Sequence, residues 1–243
     1  MKTRLDQLLV ARGLADSRAR AKAAIEAGNV TVDGAPAKAA SQSVAEDAVL
    51  TFVEAHRFVG RAALKLDHAL SAWPVRVEGR VVLDVGASTG GFTEVCLERG
   101  ATRVYAVDVG SGQLHRRIAD DPRVVDLEQT DARDLTPELI PEAPGLIVCD
   151  ASFIGLAKVL PAALALAAPD ADLVTLVKPQ FEMEARNEVG RGGVVKDPEA
   201  RRAALDRVSA WLEGRGWFVE ATAESPITGG DGNVEFLLWA KHS

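Results

Sequence analysis

The stretch LDVGASTGGF, from Leu83 to Phe92, decides the fold of this chain. The apolar residues 81–83 predict a buried strand, the glycines that follow predict a tight turn, and a helical pattern begins at Phe92. This order of strand, glycine-rich turn and helix brings backbone N–H groups close to a ligand at the edge of an α/β sheet. The stretch therefore predicts a cofactor-binding turn in an enzyme.

Beyond this turn, apolar strands alternate with amphipathic helices to the end of the chain. Such alternation predicts an α/β fold with a mostly parallel sheet, helices on both faces, and ligands at the carboxyl ends of the strands. The predicted strands are residues 81–85, 103–108, 124–128, 146–150, 172–178, 217–224 and 233–240. The predicted helices are residues 92–99, 111–119, 155–167 and 198–213.

Composition narrows the class of protein. The 243 residues suffice for one large domain and a small one, and 47% hydrophobic with 26% charged residues is ordinary for a soluble protein. No apolar run is long enough to span a membrane, and the first residues lack a signal-peptide core, so we expect a cytoplasmic protein. Cys96 and Cys149 predict buried thiols, and no residues have metal-ligand spacing, so no metal is expected.

The charge is unevenly distributed along the chain. The net charge of -7 argues against a uniformly basic nucleic-acid binder, yet residues 1–40 contain seven Lys and Arg against four Asp and Glu. A basic head on an acidic body suggests that contact with RNA or DNA begins at the N-terminus, although a solvated helix face produces similar counts.

Residues 1–54 have the pattern of a small α+β domain. Arg18 and Lys22 lie four residues apart on one helix face, with Arg20 nearby, and such cations can follow a phosphate backbone. The predicted elements are a helix with Leu5, Leu8 and Leu9 on its apolar face, a second helix capped by Asp16 or Ser17 with Ala21, Ala24 and Ile25 buried, and strands at 30–32 and 49–52.

These residues resemble the S4-type RNA-binding domain in the segments RLDQLL, SRARAKAAIEAG and VTVDG. The resemblance implies that the domain positions structured RNA and performs no chemistry; a small dimerisation module is the alternative. The candidate RNA-binding residues are Arg4, Arg18, Arg20 and Lys22, with Arg61 in the predicted linker of residues 55–62.

Two details of the central turn favour S-adenosylmethionine over a dinucleotide. The turn reads G-A-S-T-G-G and lacks the GxGxxG pyrophosphate fingerprint. Asp84 precedes it, where an acid can organise a loop around a cationic, phosphate-free cofactor. Asp108 ends the next strand, where a carboxylate accepts hydrogen bonds from the ribose hydroxyls of NAD and of S-adenosylmethionine alike. The predicted cofactor-binding residues are Asp84, Gly86, Ser88, Gly90, Phe92, Asp108, Asp131 and Asp150.

Asp131 and the charged residues at the ends of two later strands can each be interpreted in more than one way. Asp131 can accept the adenine amino group or simply cap a helix. Asp150 and Lys178 each follow an apolar strand, at the edge where the reactive end of a cofactor would lie. Each of these two, taken alone, reads equally well as a surface charge.

Lys65, Asp150, Lys178 and Glu235 together resemble the K-D-K-E tetrad of FtsJ-type ribose 2′-O-methyltransferases. The whole chain resembles the TlyA (hemolysin A-like) family of rRNA methyltransferases. The segments that carry this resemblance are LKLDHAL, LDVGASTGGFTE, YAVDVG, CDASFIGL, LVKPQFE, GRGGVVKD and SPITGGDGNVEFL.

The resemblance implies a class I Rossmann-like methyltransferase domain with a seven-stranded sheet at residues 63–243, S-adenosylmethionine as the cofactor, and ribosomal RNA in ribosomal subunits as the partner. The implied reaction is 2′-O-methylation of a cytidine ribose. The short N-terminus and the lack of a C-terminal extension favour 23S rRNA, with 16S rRNA as the alternative, and we expect a monomer that does not enter a membrane.

A mechanism follows from the tetrad. A ribose 2′-OH must lose its proton as it attacks a methyl group. Lysine acts as a base only when it is neutral, and a neighbouring cation and desolvation favour that form. We therefore expect Lys178 to be the general base and Lys65, Asp150 and Glu235 to position it and the hydroxyl.

Other segments leave alternatives open. The family's SRGGxKL junction reads GRAALKL here, and its alanines predict a rigid junction with a helix that starts near Arg61. Residues 181–196 predict a mobile loop over RNA or a passive surface loop. The four tryptophans are predicted to be core. The competing functions are an NAD-dependent oxidoreductase, an RNA-binding protein without catalysis, and a membrane-active hemolysin.

Overall fold

The computed structural model describes residues 2–26, 28–52, 58–183, 193–229 and 231–243. It divides into two compact units, Met1–Arg61 and Ala62–Ser243. Residues 55–57 of the predicted linker and 184–192 of the predicted loop lie outside the described residues.

The first unit is a small α+β domain. Strand β2 (Val30–Val32) pairs antiparallel with β3 (Ala35–Pro36) and β5 (Leu50–Phe52), and β1 (Lys2–Arg4) pairs antiparallel with β4 (Ser43–Ala45). Ser17 caps the second helix, because its Oγ accepts a hydrogen bond from the backbone N–H of Arg20 at 3.2 Å. The elements are β1 (Lys2–Arg4), α1 (Leu5–Ala11), α2 (Arg18–Glu26), β2 (Val30–Val32), β3 (Ala35–Pro36), β4 (Ser43–Ala45) and β5 (Leu50–Phe52).

The second unit alternates strands and helices. Its strands are β6 (Val81–Val85), β7 (Arg103–Val107), β8 (Val124–Leu127), β9 (Leu146–Cys149), β10 (Asp172–Val177), β11 (Trp217–Glu224) and β12 (Phe236–His242). Its helices are α3 (Ala63–Ala72), α4 (Gly91–Glu98), α5 (Arg116–Ala119), α6 (Leu156–Val159), α7 (Pro161–Ala165), α8 (Pro179–Glu182) and α9 (Pro198–Glu213), with a 3₁₀ turn at Ala132–Asp134.

The sheet of this unit has the order β11-β12-β10-β9-β6-β7-β8. Strands β6 to β10 run parallel, and β12 lies antiparallel between β10 and β11. The predicted seven-stranded, mostly parallel sheet is confirmed. Strand order reverses on the two sides of β6, and this switch point opens a crevice at the carboxyl ends of β6 and its neighbours.

The helix predicted at 111–119 is wrong for its first half, since α5 begins only at Arg116. Gly112 adopts a left-handed φ of 62°. The backbone N–H groups of Gly112 and Gln113 donate to the carboxylate of Glu128 at 2.7 and 2.8 Å. These bonds hold residues 110–114 in a bend. The backbone N–H groups of Gly112 and Gln113 are bonded to Glu128, which lies outside the segment, and no helix begins here.

Three further boundaries differ from the prediction. The helix expected at 155–167 is divided at Leu160, because Pro161 has no N–H to continue the first helix and instead begins the second. The last strand begins at Phe236 instead of 233, so Glu235 immediately precedes β12. Helix α3 begins at Ala63, two residues beyond the predicted start.

The residues predicted to be core are the two cysteines and the four tryptophans. Cys96 and Cys149 are buried free thiols, as expected. Trp217 and Trp239 are buried, with 1% and 8% of their surface exposed. Trp73 is only half-buried and stacks on Trp239 with a ring-centroid distance of 6.3 Å. Trp211 is also half-buried, so two of the four lie at the edge of the core.

Candidate active site

Gly86 opens the turn between β6 and α4 with a φ of +83°, a conformation that favours glycine. A Cβ on this residue would lie 2.9 Å from the Cα of Ala151, in the chain that follows β9. The turn can therefore approach the neighbouring strand end only because this residue has no side chain.

A cleft of about 480 Å³ lies at the carboxyl ends of β6, β7 and β9. This volume falls within the range of small-molecule sites, about 300–1,000 Å³. Five of the predicted cofactor-binding residues line it, together with an exposed aromatic side chain: Gly86, Ser88, Asp108, Asp131, Asp150 and Phe153.

The carboxylate of Asp108 is oriented by the backbone. The N–H groups of Ser88 and Gly110 donate to its two oxygens, each at 2.8 Å. A carboxylate has about four acceptor positions, so Asp108 can still accept bonds from two hydroxyls. This arrangement fits the ribose of a nucleoside cofactor.

Asp131 lines the cleft and also caps the 3₁₀ turn. Its carboxylate accepts from the backbone N–H of Arg133 at 2.9 Å and from Nη2 of the same residue at 2.6 Å. The side-chain hydrogen bonds from Arg133 lower the pKa of Asp131. The capping alternative is therefore present in the structure, and contact with an adenine amino group remains a prediction.

The other three predicted cofactor residues are not among the described residues that line the cleft. Asp84 is fully buried within β6 and accepts a hydrogen bond from Thr93 Oγ1 at 2.6 Å. Gly90 packs against Leu114, since a Cβ there would lie 2.8 Å from Leu114 Cδ1. Phe92 is buried in α4. All three are buried in or next to the turn.

Burial raises the pKa of Asp84 to about 7. The folded protein therefore holds the proton of this carboxyl more tightly than the unfolded chain does, and stability is lost as pH rises from about 4 to about 7. The loss is on the order of 4 kcal/mol. We expect Asp84→Asn to flatten this fall in thermal unfolding experiments without cofactor; parallel curves for the two proteins would refute the assignment.

Gly86→Ala is expected to weaken S-adenosylmethionine binding by about 10-fold or more, because the left-handed φ costs about 1–2 kcal/mol and the Cβ displaces the wall of the cleft. Titration calorimetry measures the affinity. Gly79→Ala is the matched control, since Gly79 also has a left-handed φ (+75°) but no backbone within 4 Å of an added Cβ. Equal losses in both variants would contradict the steric role of Gly86.

The four tetrad residues meet as two ion pairs. Lys65 Nζ lies 2.5 Å from Glu235 Oε2, and Lys178 Nζ lies 2.7 Å from Asp150 Oδ1. Both lysines and Glu235 are buried. Asp150 and Lys178 follow the adjacent parallel strands β9 and β10. Glu235 reaches the same edge because β12 is antiparallel, with Phe236 opposite Val177. Topology thus gathers groups that are up to 170 residues apart.

Among the described residues, three oxygen atoms contact the amine of Lys178. Besides its ion pair with Asp150, which is not aligned as a hydrogen bond, it donates to the carbonyl of Asp150 at 2.9 Å and to Ser152 Oγ at 2.7 Å. Asp150 and Ser152 both line the cleft. The amine is therefore fixed beside the place where the cofactor would be held.

Phe153 is a site residue that sequence reasoning missed. It is 91% exposed, although it lies shortly after Asp150 and lines the cleft, and its φ of 67° is rare for a bulky residue. Its ring lies 5.4 Å from that of Phe181. In the sequence, Phe153 stands in an apolar run, and only its place after Asp150 marks it.

A second, open groove lies in the N-terminal unit. Its volume is about 880 Å³, and Arg4, Arg18, Lys22 and Lys38 line it. Arg20 and Arg61, also predicted to bind RNA, are not among the described lining residues. Three of the five predicted RNA-binding residues therefore share one surface.

A switch-point cleft with a glycine turn and an acid at the end of the second strand defines a nucleoside-cofactor enzyme, and comparison with known families specifies its class. Residues 58–242 match the FtsJ-like methyltransferase family, and residues 3–50 match the S4 domain. The chain belongs to the FtsJ-like methyltransferases and uses S-adenosylmethionine.

Within that class, the chain belongs to the TlyA family. It is 49% identical to the 16S/23S rRNA (cytidine-2′-O)-methyltransferase TlyA of Mycobacterium tuberculosis, over 99% of this chain and 90% of the relative. It is 37% identical to the 23S rRNA (cytidine-2′-O)-methyltransferase TlyA of Campylobacter jejuni, over 75% of this chain and 70% of the relative. The predicted family, fold and cofactor are confirmed.

A solved structure from Streptococcus thermophilus, whose name includes the word hemolysin, has a TM-score of 0.79 and 36% identity, covering 100% of this chain and 89% of that one. Within the described residues, no helix is both long and apolar enough to cross a membrane.

Proposed function

We propose that this enzyme methylates the 2′-oxygen of a cytidine ribose in ribosomal RNA, with 23S rRNA as its principal substrate. The observation that carries the proposal is the buried amine of Lys178, which is paired with Asp150 in the lining of the cleft. A second ion pair, Lys65–Glu235, supports it, because Glu235 precedes the strand that pairs with β10. Both relatives named above are described as rRNA cytidine-2′-O-methyltransferases, and 23S rRNA is common to their names.

S-adenosylmethionine, when bound, supplies a methyl group carried on a sulfonium. Lys178, as the neutral amine, would take the proton of the ribose hydroxyl whose oxygen receives that methyl group. Asp150, 2.7 Å from that amine, then stabilises the ammonium that results. Lys65 and Glu235 orient the attacking oxygen, and much of the rate comes from this alignment.

The residues that line the cleft are proposed to bind the cofactor. Asp108 accepts the ribose hydroxyls, and Asp131 accepts the adenine amino group from its position in the cleft wall. Gly86 and Ser88 bring the backbone against the cofactor. All of these groups come from one chain, so a monomer in the cytoplasm, where ribosomal subunits are found, suffices for the reaction.

Phe153 provides an exposed ring on which the target base can stack once it leaves the RNA helix. We expect Phe153→Ala to lower kcat/KM for RNA by about 10-fold, since stacking contributes about 1–3 kcal/mol per base, while S-adenosylmethionine affinity stays unchanged. Phe218→Ala is the matched control, because Phe218 is 53% exposed on β11 and does not line the cleft. A parallel loss of cofactor affinity would contradict a role confined to the base.

The experiment that tests the function uses 50S and 30S subunits from cells lacking this gene, with tritiated S-adenosylmethionine. Label in 23S rRNA, mapped to the 2′-oxygen of a cytidine, is the expected result. Label confined to 16S rRNA would contradict the preferred substrate, and no label in either subunit would contradict the function. Leakage of dye from vesicles under the same conditions would instead favour a membrane-active protein.

A further inference from the structure

Two arginines of the N-terminal groove converge on one buried carboxylate. Nε and Nη2 of Arg4 donate to the two oxygens of Asp6 at 3.0 and 3.1 Å. Nε and Nη2 of Arg18 donate to its Oδ2 at 3.1 and 2.8 Å. Asp6 is 4% exposed, whereas the arginine side chains remain 45% and 58% exposed. All three residues line the groove, with Asp6 as the buried member and the arginines as the exposed ones.

Asp6 is itself held firmly. It lies in the first turn of α1, and its Oδ1 accepts the backbone N–H of Gln7 at 3.0 Å. The hydrogen bonds from Arg4, followed by those from Arg18, help to lower the pKa of Asp6 to about 2. The carboxylate is therefore charged at any working pH. It joins Arg4, at the end of β1, to Arg18, at the start of α2.

We infer that Asp6 is a positioning residue that presents Arg4 and Arg18 as an oriented pair to the RNA backbone; this inference rests on the proposed function. Each guanidinium needs only two of its five N–H groups for Asp6, so it can donate others to a phosphate. An arginine that is already held loses less conformational freedom on binding than a free one does. Lys22 and Lys38 extend the same basic surface.

For a variant without the Asp6 charge, the inference predicts a change in RNA affinity opposite to the one expected from simple electrostatics. Removal of a negative charge beside an RNA-binding groove ordinarily strengthens binding. If Asp6 positions the arginines, Asp6→Asn instead weakens binding by about 10-fold, and the slope of log Kd against log salt falls by about one unit as a phosphate contact is lost. Glu26→Gln is the matched control. Glu26 lines the same groove but is exposed and pairs only loosely with Lys22, at 3.6 Å.

The test measures filter binding of the full-length chain to isolated 50S subunits without cofactor, from about 50 to 300 mM KCl. Weaker binding and a smaller slope for Asp6→Asn, with equal or tighter binding for Glu26→Gln, are expected. Unchanged or tighter binding by Asp6→Asn would overturn the positioning role alone. If the wild type bound no subunit, the inference would fall together with the proposed function.

A second variant covers the case in which Asp6→Asn does not fold. Arg4→Lys/Arg18→Lys keeps Asp6 and both charges but removes the forked donors. We expect this protein to have the weakened affinity and reduced slope as well. Wild-type affinity in the double variant would show that charge alone matters and would overturn the inference.

Discussion

Lys178→Ala is expected to reduce methyl transfer to ribosomal RNA by a factor of about 10³ or more, because it removes the proposed general base for the ribose hydroxyl. S-adenosylmethionine affinity should remain, since the glycine turn and Asp108 are separate from the lysine. Single-turnover transfer of a tritiated methyl group measures the first quantity, and titration calorimetry measures the second.

The control for this experiment is Lys241→Ala, which removes an exposed lysine from β12 and is expected to leave the rate unchanged. Substantial turnover by Lys178→Ala would exclude it as the base. A loss of cofactor binding to the same extent as activity would instead assign Lys178 to the cofactor site.

Glu235→Gln is expected to lower stability by about 3–5 kcal/mol, because the charge of Lys65 is then buried without its partner. For a unit of this size the corresponding fall in Tm is about 10 °C. Asp67→Asn is the control on the same helix as Lys65. Its ion pair with Arg99, at 2.8 Å, is partly exposed and should contribute less than about 1 kcal/mol.

The double variant Lys65→Met/Glu235→Leu separates stability from catalysis. It removes both charges, so most of the lost stability should return, as it does when buried ion pairs are replaced by apolar residues. Methyl transfer should nevertheless be lost, because the two groups proposed to orient the attacking oxygen are gone. A double variant as active as the wild type would assign the pair to folding alone.

The strands were predictable because a buried strand has a mostly apolar sequence. β10, DLVTLV, is buried at every residue, and its mostly apolar sequence, with only Asp172 and Thr175 polar, is typical of a central parallel strand. The glycine turn at Gly86 was predictable for a similar reason, since a strand, a glycine and a helix in succession are typical of a cofactor-binding turn. In both cases the signal lies within a few neighbouring residues.

The remainder depends on contacts between distant segments. The bend at Gly112 requires the carboxylate of Glu128, which local helical preference does not include. The pairing of Lys65 with Glu235 spans 170 residues and follows from the antiparallel placement of β12. The tetrad came from family resemblance, and no periodicity in the chain would have selected those four residues. Likewise, the exposure of Phe153 requires the left-handed backbone at that residue.

The antiparallel strand β12 also bears on the order in which the enzyme matures. Strand pairing with β10 brings Glu235 to Lys65, and β12 is the last strand of the sheet to be synthesised. The glycine turn and the N-terminal groove can form while translation continues, since domains fold in the order of synthesis. With the roles proposed for the groove and for Glu235, a nascent chain would acquire RNA contact before catalytic competence, and methylation would begin only once β12 had joined the sheet.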